Sequence, residues 1–121
     1  MSKNVVIVSY ARTPLGSLKG SLSTISSPKL GAAAIKGAMD KCNLNASQVD
    51  EVIMGCVLPA GLGQAPARQA SIYAGLPENV EALTINKMCG SGLKAIMQAQ
   101  QSILAGDSGV IIAGGMENMS Q

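Results

Sequence analysis

The residues best suited to chemistry lie in one short segment around Cys89. Cys89 stands between a predicted strand and a predicted helix, and Gly90 and Gly92 follow it. Unpaired N–H groups at the start of a helix favour negative charge, so they would stabilise a thiolate there. The same groups could hold the oxyanion that forms when a thiolate attacks an acyl carbon. The glycines leave room for a substrate to approach the backbone, so the segment indicates a nucleophilic cysteine.

A structural role is the alternative for every cysteine of this chain. Free cysteines are commonly buried and inert, and we keep that interpretation for Cys42, on a predicted helical face, and Cys56, which follows a predicted strand. For Cys89 both interpretations stay open on the residues alone. An odd number of widely spaced cysteines predicts no disulfide framework, and with no His in the chain we expect no zinc site.

A dinucleotide site is a second interpretation of the same segment. Residues 90–95 read Gly-Ser-Gly-Leu-Lys-Ala, which matches the G-x-G-x-x-A pattern of strand-to-helix turns that bind dinucleotides. The match falls at the third predicted strand instead of the first. The acidic residue that would bind the ribose is displaced to Glu117, beyond Gly114 and Gly115. This interpretation is therefore the weaker one.

Apolar runs predict four strands in this chain. They cover residues 5–8, 49–54, 82–85 and 110–113. The first is a β-branched run, which is typical of a strand buried on both faces. A loop rich in Ser and Gly over residues 16–27 follows it.

Three helices are predicted between these strands. The first begins at Ser27-Pro28 and ends at Asn43, and the second begins at Pro66 and stops before Leu76. An apolar stripe marks the third helix, which ends near Gly106: Leu93, Ile96, Met97, Gln100 and Leu104. The alternation of strands and helices predicts an α/β fold with a mostly parallel sheet, whose ligand chemistry lies beyond the carboxyl ends of the strands.

Composition excludes several classes of protein. The chain is 47% hydrophobic and 13% charged, which excludes a highly charged disordered tail. Two Tyr, no Phe and no Trp provide no stacking platform for single-stranded nucleic acid, and a net charge of +2 is too small for a surface that follows phosphates. No apolar run reaches the ~18–20 residues of a membrane span, and no secretory signal is visible. We expect a cytoplasmic protein that binds neither nucleic acid nor membranes.

Four segments together resemble the thiolase family. They are VIVSYARTPLG at 6–16, VIMGCVLPAGLGQAPARQA at 52–70, NKMCGSGLKA at 86–95 and GGMENMS at 114–120. The resemblance covers essentially the whole chain in order, and it is strongest to the biosynthetic acetyl-CoA C-acetyltransferases of that family. It implies that residues 1–121 are an incomplete amino-terminal thiolase domain, without the loop region and the carboxyl-terminal half.

The resemblance also implies a reaction and a role for Cys89. Cys89 would take an acetyl group from acetyl-CoA as a thioester, with the backbone N–H groups of Cys89 and Gly90 supporting the oxyanion. A second acetyl-CoA would then attack to give acetoacetyl-CoA, and the reverse reaction is thiolysis. No cofactor is expected beyond the coenzyme A thioester that serves as substrate, and the residues that bind it stay unknown. The family also implies a homo-oligomer, a dimer or a tetramer, with a place in lipid metabolism.

This sequence departs from the family's pattern in its catalytic set. Family members use a His that activates the nucleophile and a second Cys that moves the methyl proton. The chain has no His, and neither Cys42 nor Cys56 lies in the motif of the second Cys. We therefore expect the chain alone not to turn over, and we expect its open sheet edge to favour self-association. Two alternatives remain: a thiolase for longer 3-ketoacyl-CoA substrates, and a non-catalytic fragment derived from a thiolase.

Overall fold

Three parallel strands form the centre of the fold: β1 (Glu51–Gly55), β2 (Glu81–Ile85) and β3 (Ile111–Gly115). The computed structural model describes residues 4–121. Residues 1–3, on which the expectation of no secretory signal partly rests, lie outside the described residues. The strands are ordered β2–β1–β3, with Gly55 beside both Ile85 and Gly115. Their carboxyl ends therefore form one edge, as predicted for an α/β fold with a parallel sheet.

Three helices connect and cover this sheet: α1 (Ser27–Lys41), α2 (Pro66–Tyr73) and α3 (Ser91–Ala105). The N-cap of α1 is Ser26, one residue before the predicted cap. Asn43 follows α1 with a φ of 54°, the left-handed conformation that commonly ends a helix. A short 3₁₀ helix, Ala46–Gln48, leads into β1. The predicted order of elements is confirmed from α1 onward.

The helices lie on both faces of the sheet. Helices α1 and α2 pack against one another over one face, around a core that includes Ile35, Val52 and Ala70. Helix α3 covers the other face, where Ala95 and Ala99 pack on Ile53. Because β2 and β3 lie on opposite sides of β1, the chain crosses over at β1. Crevices at the carboxyl ends of strands next to such a crossover are where α/β sheets bind ligands.

The predicted strand at residues 5–8 is wrong. This segment has no regular secondary structure, and Val6, Ile7 and Val8 are at least 70% exposed. A β-branched run forms a strand only where a neighbouring strand satisfies its backbone, and none lies beside it among residues 4–121. The chain is instead held on α1, where Ser9 Oγ donates to Ala38 O at 2.7 Å and Lys41 Nζ donates to Tyr10 O at 3.1 Å.

The apolar stripe of α3 identifies the helix but not its buried face. Leu93, Ile96, Met97 and Leu104 are 41–66% exposed, and the face against the sheet consists of Ser91, Ala95 and Ala99. Short side chains at this spacing let the helix axis approach the sheet closely, and the large side chains then project on the far side. Nothing within residues 4–121 covers this apolar face. No helix in that range has the length and hydropathy needed to cross a bilayer.

Candidate active site

Cys89 is an exposed thiol in the turn between β2 and α3. Helix α3 begins at Ser91, with Gly90 as its N-cap residue. The turn lies at the carboxyl edge of the sheet, where the sequence predicted the chemistry. The predicted strand-to-helix junction at Cys89 is therefore confirmed. The catalytic role of the residue stays a prediction.

Hydrogen bonds within the turn use the backbone N–H groups on both sides of Cys89. Lys87 N donates to Ser91 Oγ at 2.8 Å, and Met88 N donates to Asn86 Oδ1 at 3.0 Å. Gly90 N and Ser91 N each donate at 3.1 Å, to the carbonyls of Lys87 and Met88. The turn is thus closed by its own side chains as well as by its backbone.

The Cys89 N–H is the exception in this turn. Within residues 4–121 it donates no hydrogen bond, and neither do the N–H groups of Gly92 and Leu93 in the first turn of α3. Within the described residues, three N–H groups between Cys89 and the first turn of α3 are therefore open. The Gly90 N–H, predicted as a second oxyanion donor, already donates to Lys87 O. Cys89 carries the open donor of that predicted pair.

Two glycines at the strand ends bring α3 this close to the sheet. A Cβ placed on Gly55 would lie 2.6 Å from Ser91 Cβ and 2.9 Å from Gly92 N. A Cβ placed on Gly115 would lie 3.3 Å from Gly92 Cα. Larger residues at these positions would push the start of α3 away from the sheet. The glycines at the strand ends therefore set the distance between the sheet and the start of α3, and with it the position of the Cys89 turn.

Met88, directly before Cys89, has a strained backbone. Its φ is 51°, in the left-handed region that non-glycine residues rarely adopt. The Met88 side chain is 67% exposed, so core packing does not hold it there. Unusual backbone of this kind persists where the surroundings determine it, and it clusters at functional sites. Here the surroundings are the hydrogen bonds of Asn86 and Ser91.

Glu117 and Asn118 hold the loops that flank this edge. The Glu117 carboxylate accepts from Val57 N at 2.8 Å and from Leu58 N at 3.1 Å. Asn118 Nδ2 donates to the carbonyls of Leu22, Ser23 and Ile25. Because its carboxylate is engaged in this way, Glu117 is not free to bind a ribose. The dinucleotide interpretation loses its acidic residue.

The two other cysteines lie in environments of a different kind. Cys56 is 1% exposed, and its Sγ lies 4.0 Å from Glu117 Oε1. Burial raises the pKa of the Cys56 thiol, the Glu117 charge raises it further, and the Leu58 N–H opposes both. Cys42 is half-buried at the end of α1, with its Sγ 3.4 Å from Ala38 O. These environments fit the structural role expected for both residues.

Sequence reasoning gave no role to Ser91, Asn86, Gly55 or Gly115. Each lies in a segment that resembles the thiolase family, but their hydrogen bonds and close contacts depend on how α3 meets the sheet. A serine in the first helical position after a candidate nucleophile, and glycines at two aligned strand ends, are the signals that point to them.

Comparison with known proteins gives a consistent result over almost the whole chain. The family model described as "Thiolase, N-terminal domain" matches residues 5–121. An acetyl-CoA acetyltransferase of Cupriavidus necator is 59% identical over 117 residues, which is 97% of this chain and 30% of the relative. An acetyl-CoA acetyltransferase of Escherichia coli is 56% identical over 118 residues, which is 98% of this chain and 30% of the relative.

A mitochondrial acetyl-CoA acetyltransferase of Homo sapiens is 54% identical over 118 residues, covering 98% of this chain and 28% of the relative. The chain thus spans slightly under a third of the length of the curated relatives it matches. The Cys89 turn, the strand-end glycines and Glu117 all lie inside the matched range of the family model. The chain belongs to the thiolase family, as part of its amino-terminal domain.

Proposed function

We propose that this chain contributes the acyl-carrying nucleophile of an acetyl-CoA C-acetyltransferase and that Cys89 is that nucleophile. The observation that carries the proposal is the exposed Cys89 thiol beside the start of α3, whose own N–H finds no acceptor in the part of the chain that the structure describes. An unengaged N–H beside the sulfur can donate to the oxyanion of an acyl group under attack. The names of the relatives support an acetyl group carried on coenzyme A as the substrate.

The proposed first step is acyl transfer to sulfur. The Cys89 sulfur attacks the carbonyl carbon of acetyl-CoA, the bond from that carbon to the coenzyme A sulfur breaks, and free coenzyme A leaves with a proton. The oxygen carries negative charge between these events, and the Cys89 N–H donates to it. The product is an acetyl thioester on Cys89.

The proposed second step forms a carbon–carbon bond. A second acetyl-CoA loses a proton from its methyl carbon, and this carbon attacks the acetyl thioester to release acetoacetyl-CoA and the Cys89 thiol. Abstraction of that proton needs a positioned base. The chain contains no His, and Cys56 is buried against Glu117. The second step therefore depends on residues beyond those of this chain.

We infer that residues 1–121 act as part of a larger amino-terminal domain paired with a second half. The uncovered apolar face of α3 supports this inference, since large exposed apolar faces mark interaction surfaces. A homo-oligomer, a dimer or tetramer, belongs to the same proposal. A cytoplasmic location stays a prediction, because some relatives carry names without a location and others are named as mitochondrial enzymes.

Two alternatives remain beside this proposal. A thiolase for longer 3-ketoacyl-CoA substrates would use the same nucleophile, and acyl chain length is decided by residues that line the acyl pocket. A non-catalytic fragment derived from a thiolase is supported by the lack of any His. That alternative predicts no acyl group on Cys89.

The test is to incubate the chain with acetyl-CoA and to locate acetyl groups by mass spectrometry. We expect acetyl on Cys89 that hydroxylamine removes, because hydroxylamine cleaves thioesters but leaves acetylated lysines intact. The adduct should be absent in Cys89→Ala and retained in the matched variant Cys42→Ala. Acetyl groups on Cys42 with none on Cys89 would overturn the proposal and favour the non-catalytic alternative.

A further inference from the structure

Ser91 is a buried serine with both functions of its hydroxyl engaged. Only 4% of the residue is exposed. Its Oγ accepts from Lys87 N at 2.8 Å and donates to Met88 O at 2.7 Å. The two partners are consecutive residues of the turn that precedes Cys89. A single hydroxyl therefore joins the first turn of α3 to the turn that carries the nucleophile.

This hydroxyl lies where it can hold the strained residue. The Met88 φ of 51° is unfavourable for a methionine, and the exposed Met88 side chain offers little packing to compensate. Two hydrogen bonds from Ser91 fix the Met88 carbonyl, on one side of the Met88–Cys89 peptide: the Ser91 N–H donates to it at 3.1 Å and the Ser91 hydroxyl at 2.7 Å, so the hydroxyl supplies the shorter bond. The N–H of that same peptide is the Cys89 N–H, which has no acceptor among residues 4–121. Fixing the carbonyl therefore fixes the direction of this N–H.

We propose that Ser91 is a positioning residue for acyl transfer, acting by holding the Met88–Cys89 peptide so that the Cys89 N–H stays available to the oxyanion. The inference rests on the proposed function of Cys89. It assigns Ser91 no contact with substrate. Acylation of Cys89 should then depend on Ser91, whereas a reaction of the same sulfur that forms no oxyanion should not.

The test compares two reagents on the wild-type chain and Ser91→Ala. The acetyl thioester of N-acetylcysteamine acylates Cys89 through an oxyanion. A bond forms between the Cys89 sulfur and the acetyl carbon, the bond from that carbon to the sulfur of N-acetylcysteamine breaks, and N-acetylcysteamine leaves with the proton of the Cys89 thiol. Iodoacetamide alkylates the same sulfur by displacing iodide, with no oxyanion. Outright loss of one oxyanion donor costs roughly 10²–10³ in rate. Ser91→Ala keeps the Cys89 N–H and only loosens its direction, so we expect a smaller slowing of acylation, at least about tenfold. Alkylation should change less than about twofold on the same reasoning.

Ser71→Ala is the matched control. Ser71 is also a buried helical serine, but among the residues described its hydroxyl has no hydrogen-bond partner. Its replacement should leave both reactions of Cys89 unchanged. Buried Cys56 reports on unfolding in the same spectra, because a variant that merely loses structure exposes this thiol to iodoacetamide.

A second variant separates positioning from folding. Glycine adopts the left-handed conformation without the strain that methionine carries. Met88→Gly added to Ser91→Ala should therefore restore part of the acylation rate. Equal acylation in wild type and Ser91→Ala, or equal slowing of acylation and alkylation, would overturn the proposal.

Amide hydrogen exchange decides the case in which the wild-type chain is not acylated at Cys89. That outcome overturns the proposed function by itself. The positioning still predicts that the Lys87 N–H is protected in the wild type and loses protection in Ser91→Ala, while the Cys89 N–H exchanges fast in both. An unprotected Lys87 N–H in the wild type would overturn the Ser91 proposal independently.

Discussion

Gly55 and Ser91 are in direct contact, the last residue of β1 against the first residue of α3. A Cβ on Gly55 would lie 2.6 Å from both the backbone carbonyl carbon and the Cβ of Ser91. Neither atom is the end of a flexible side chain, so the helix itself would have to move. The contact therefore links the central strand directly to the turn that carries Cys89.

Replacing Gly55 with alanine should displace the start of α3. We expect Gly55→Ala to lower the free energy of unfolding by about 1–3 kcal/mol, the usual range for overpacking a tight site. It should also slow acylation of Cys89, because Ser91 moves with the helix. Urea unfolding followed by circular dichroism gives the first quantity, and the rate of acetyl transfer from a simple thioester gives the second.

Gly114→Ala is the control for this prediction. A Cβ on Gly114 would lie 3.6–3.7 Å from the flexible end of the Met54 side chain, which is ordinary contact. The same substitution one strand away should therefore change neither stability nor acylation appreciably. Equal effects of the two substitutions would show that the Gly55–Ser91 contact has no special role.

Local sequence patterns were enough to predict most of the elements. The β-branched and apolar runs at 49–54 and 82–85 became β1 and β2, and Gly106 ends α3 with a φ of 87°. The position of Cys89 between a strand and a helix follows from the same patterns. These features are determined by residues that are close together in the chain, so local sequence patterns are enough to predict them.

Features that depend on distant contacts were not predictable. The run at 5–8 has the composition of a strand, but no strand lies beside it within residues 4–121. The buried face of α3 is its small-residue face because Gly115 and Gly55 admit the helix backbone at close range. The periodicity of apolar residues instead predicted that the stripe of large residues would be the buried face. The hydrogen bonds of Ser91 follow from that same approach of helix to sheet.

Loss of the Glu117 charge should loosen the loop after β1. Two backbone N–H groups, of Val57 and Leu58, donate to this carboxylate, and hydrogen bonds to charged groups contribute about 1.5–3 kcal/mol. Glu117→Gln keeps a single acceptor oxygen, so we expect a loss of roughly 1–2 kcal/mol in the free energy of unfolding. Urea unfolding measures it. Glu78→Gln, an exposed glutamate, is the control and should change stability little.

Asp50 should make the fold less stable in acid. Hydrogen bonds from the Val110 and Gly109 N–H groups hold the pKa of this exposed carboxyl below its ordinary value of 3.8, with partial loss of hydration acting the other way. A depressed pKa contributes stability above the unfolded value, and that stability is lost as the pH falls through the folded value. We therefore expect the urea concentration at half-unfolding to decrease as the pH is lowered below 3.8. The decrease should be smaller in Asp50→Asn.

Asp107→Asn controls for general effects of charge. Asp107 lines the same surface cavity as Asp50, but within residues 4–121 its carboxylate accepts no hydrogen bond. The acid dependence should therefore persist in this variant. If Asp50→Asn lost as much stability in acid as the wild type, the prediction would be contradicted.

The three cysteines should react with iodoacetamide in a fixed order. Cys89 is exposed, Cys42 is half-buried, and Cys56 is buried with a raised pKa. Burial and a raised pKa both reduce the reactive thiolate, so Cys56 should react at least about tenfold more slowly than Cys89. Peptide mass spectrometry at a series of times gives the three rates. In concentrated urea the rates should converge, and slow labelling of Cys89 in the folded chain would contradict its placement.

The exposed face of α3 should drive self-association of this chain. Ile96 and Met97 both belong to it and are 41% and 47% exposed, and burying such surface against a second molecule is favourable. Ile96→Gln combined with Met97→Gln should therefore shift the chain toward monomer in sedimentation velocity. Leu58→Gln removes an equally exposed apolar side chain from a loop elsewhere and should leave association unchanged. If the double variant associates as strongly as the wild type, the unpaired sheet edges drive association instead, because the substitutions leave those edges intact.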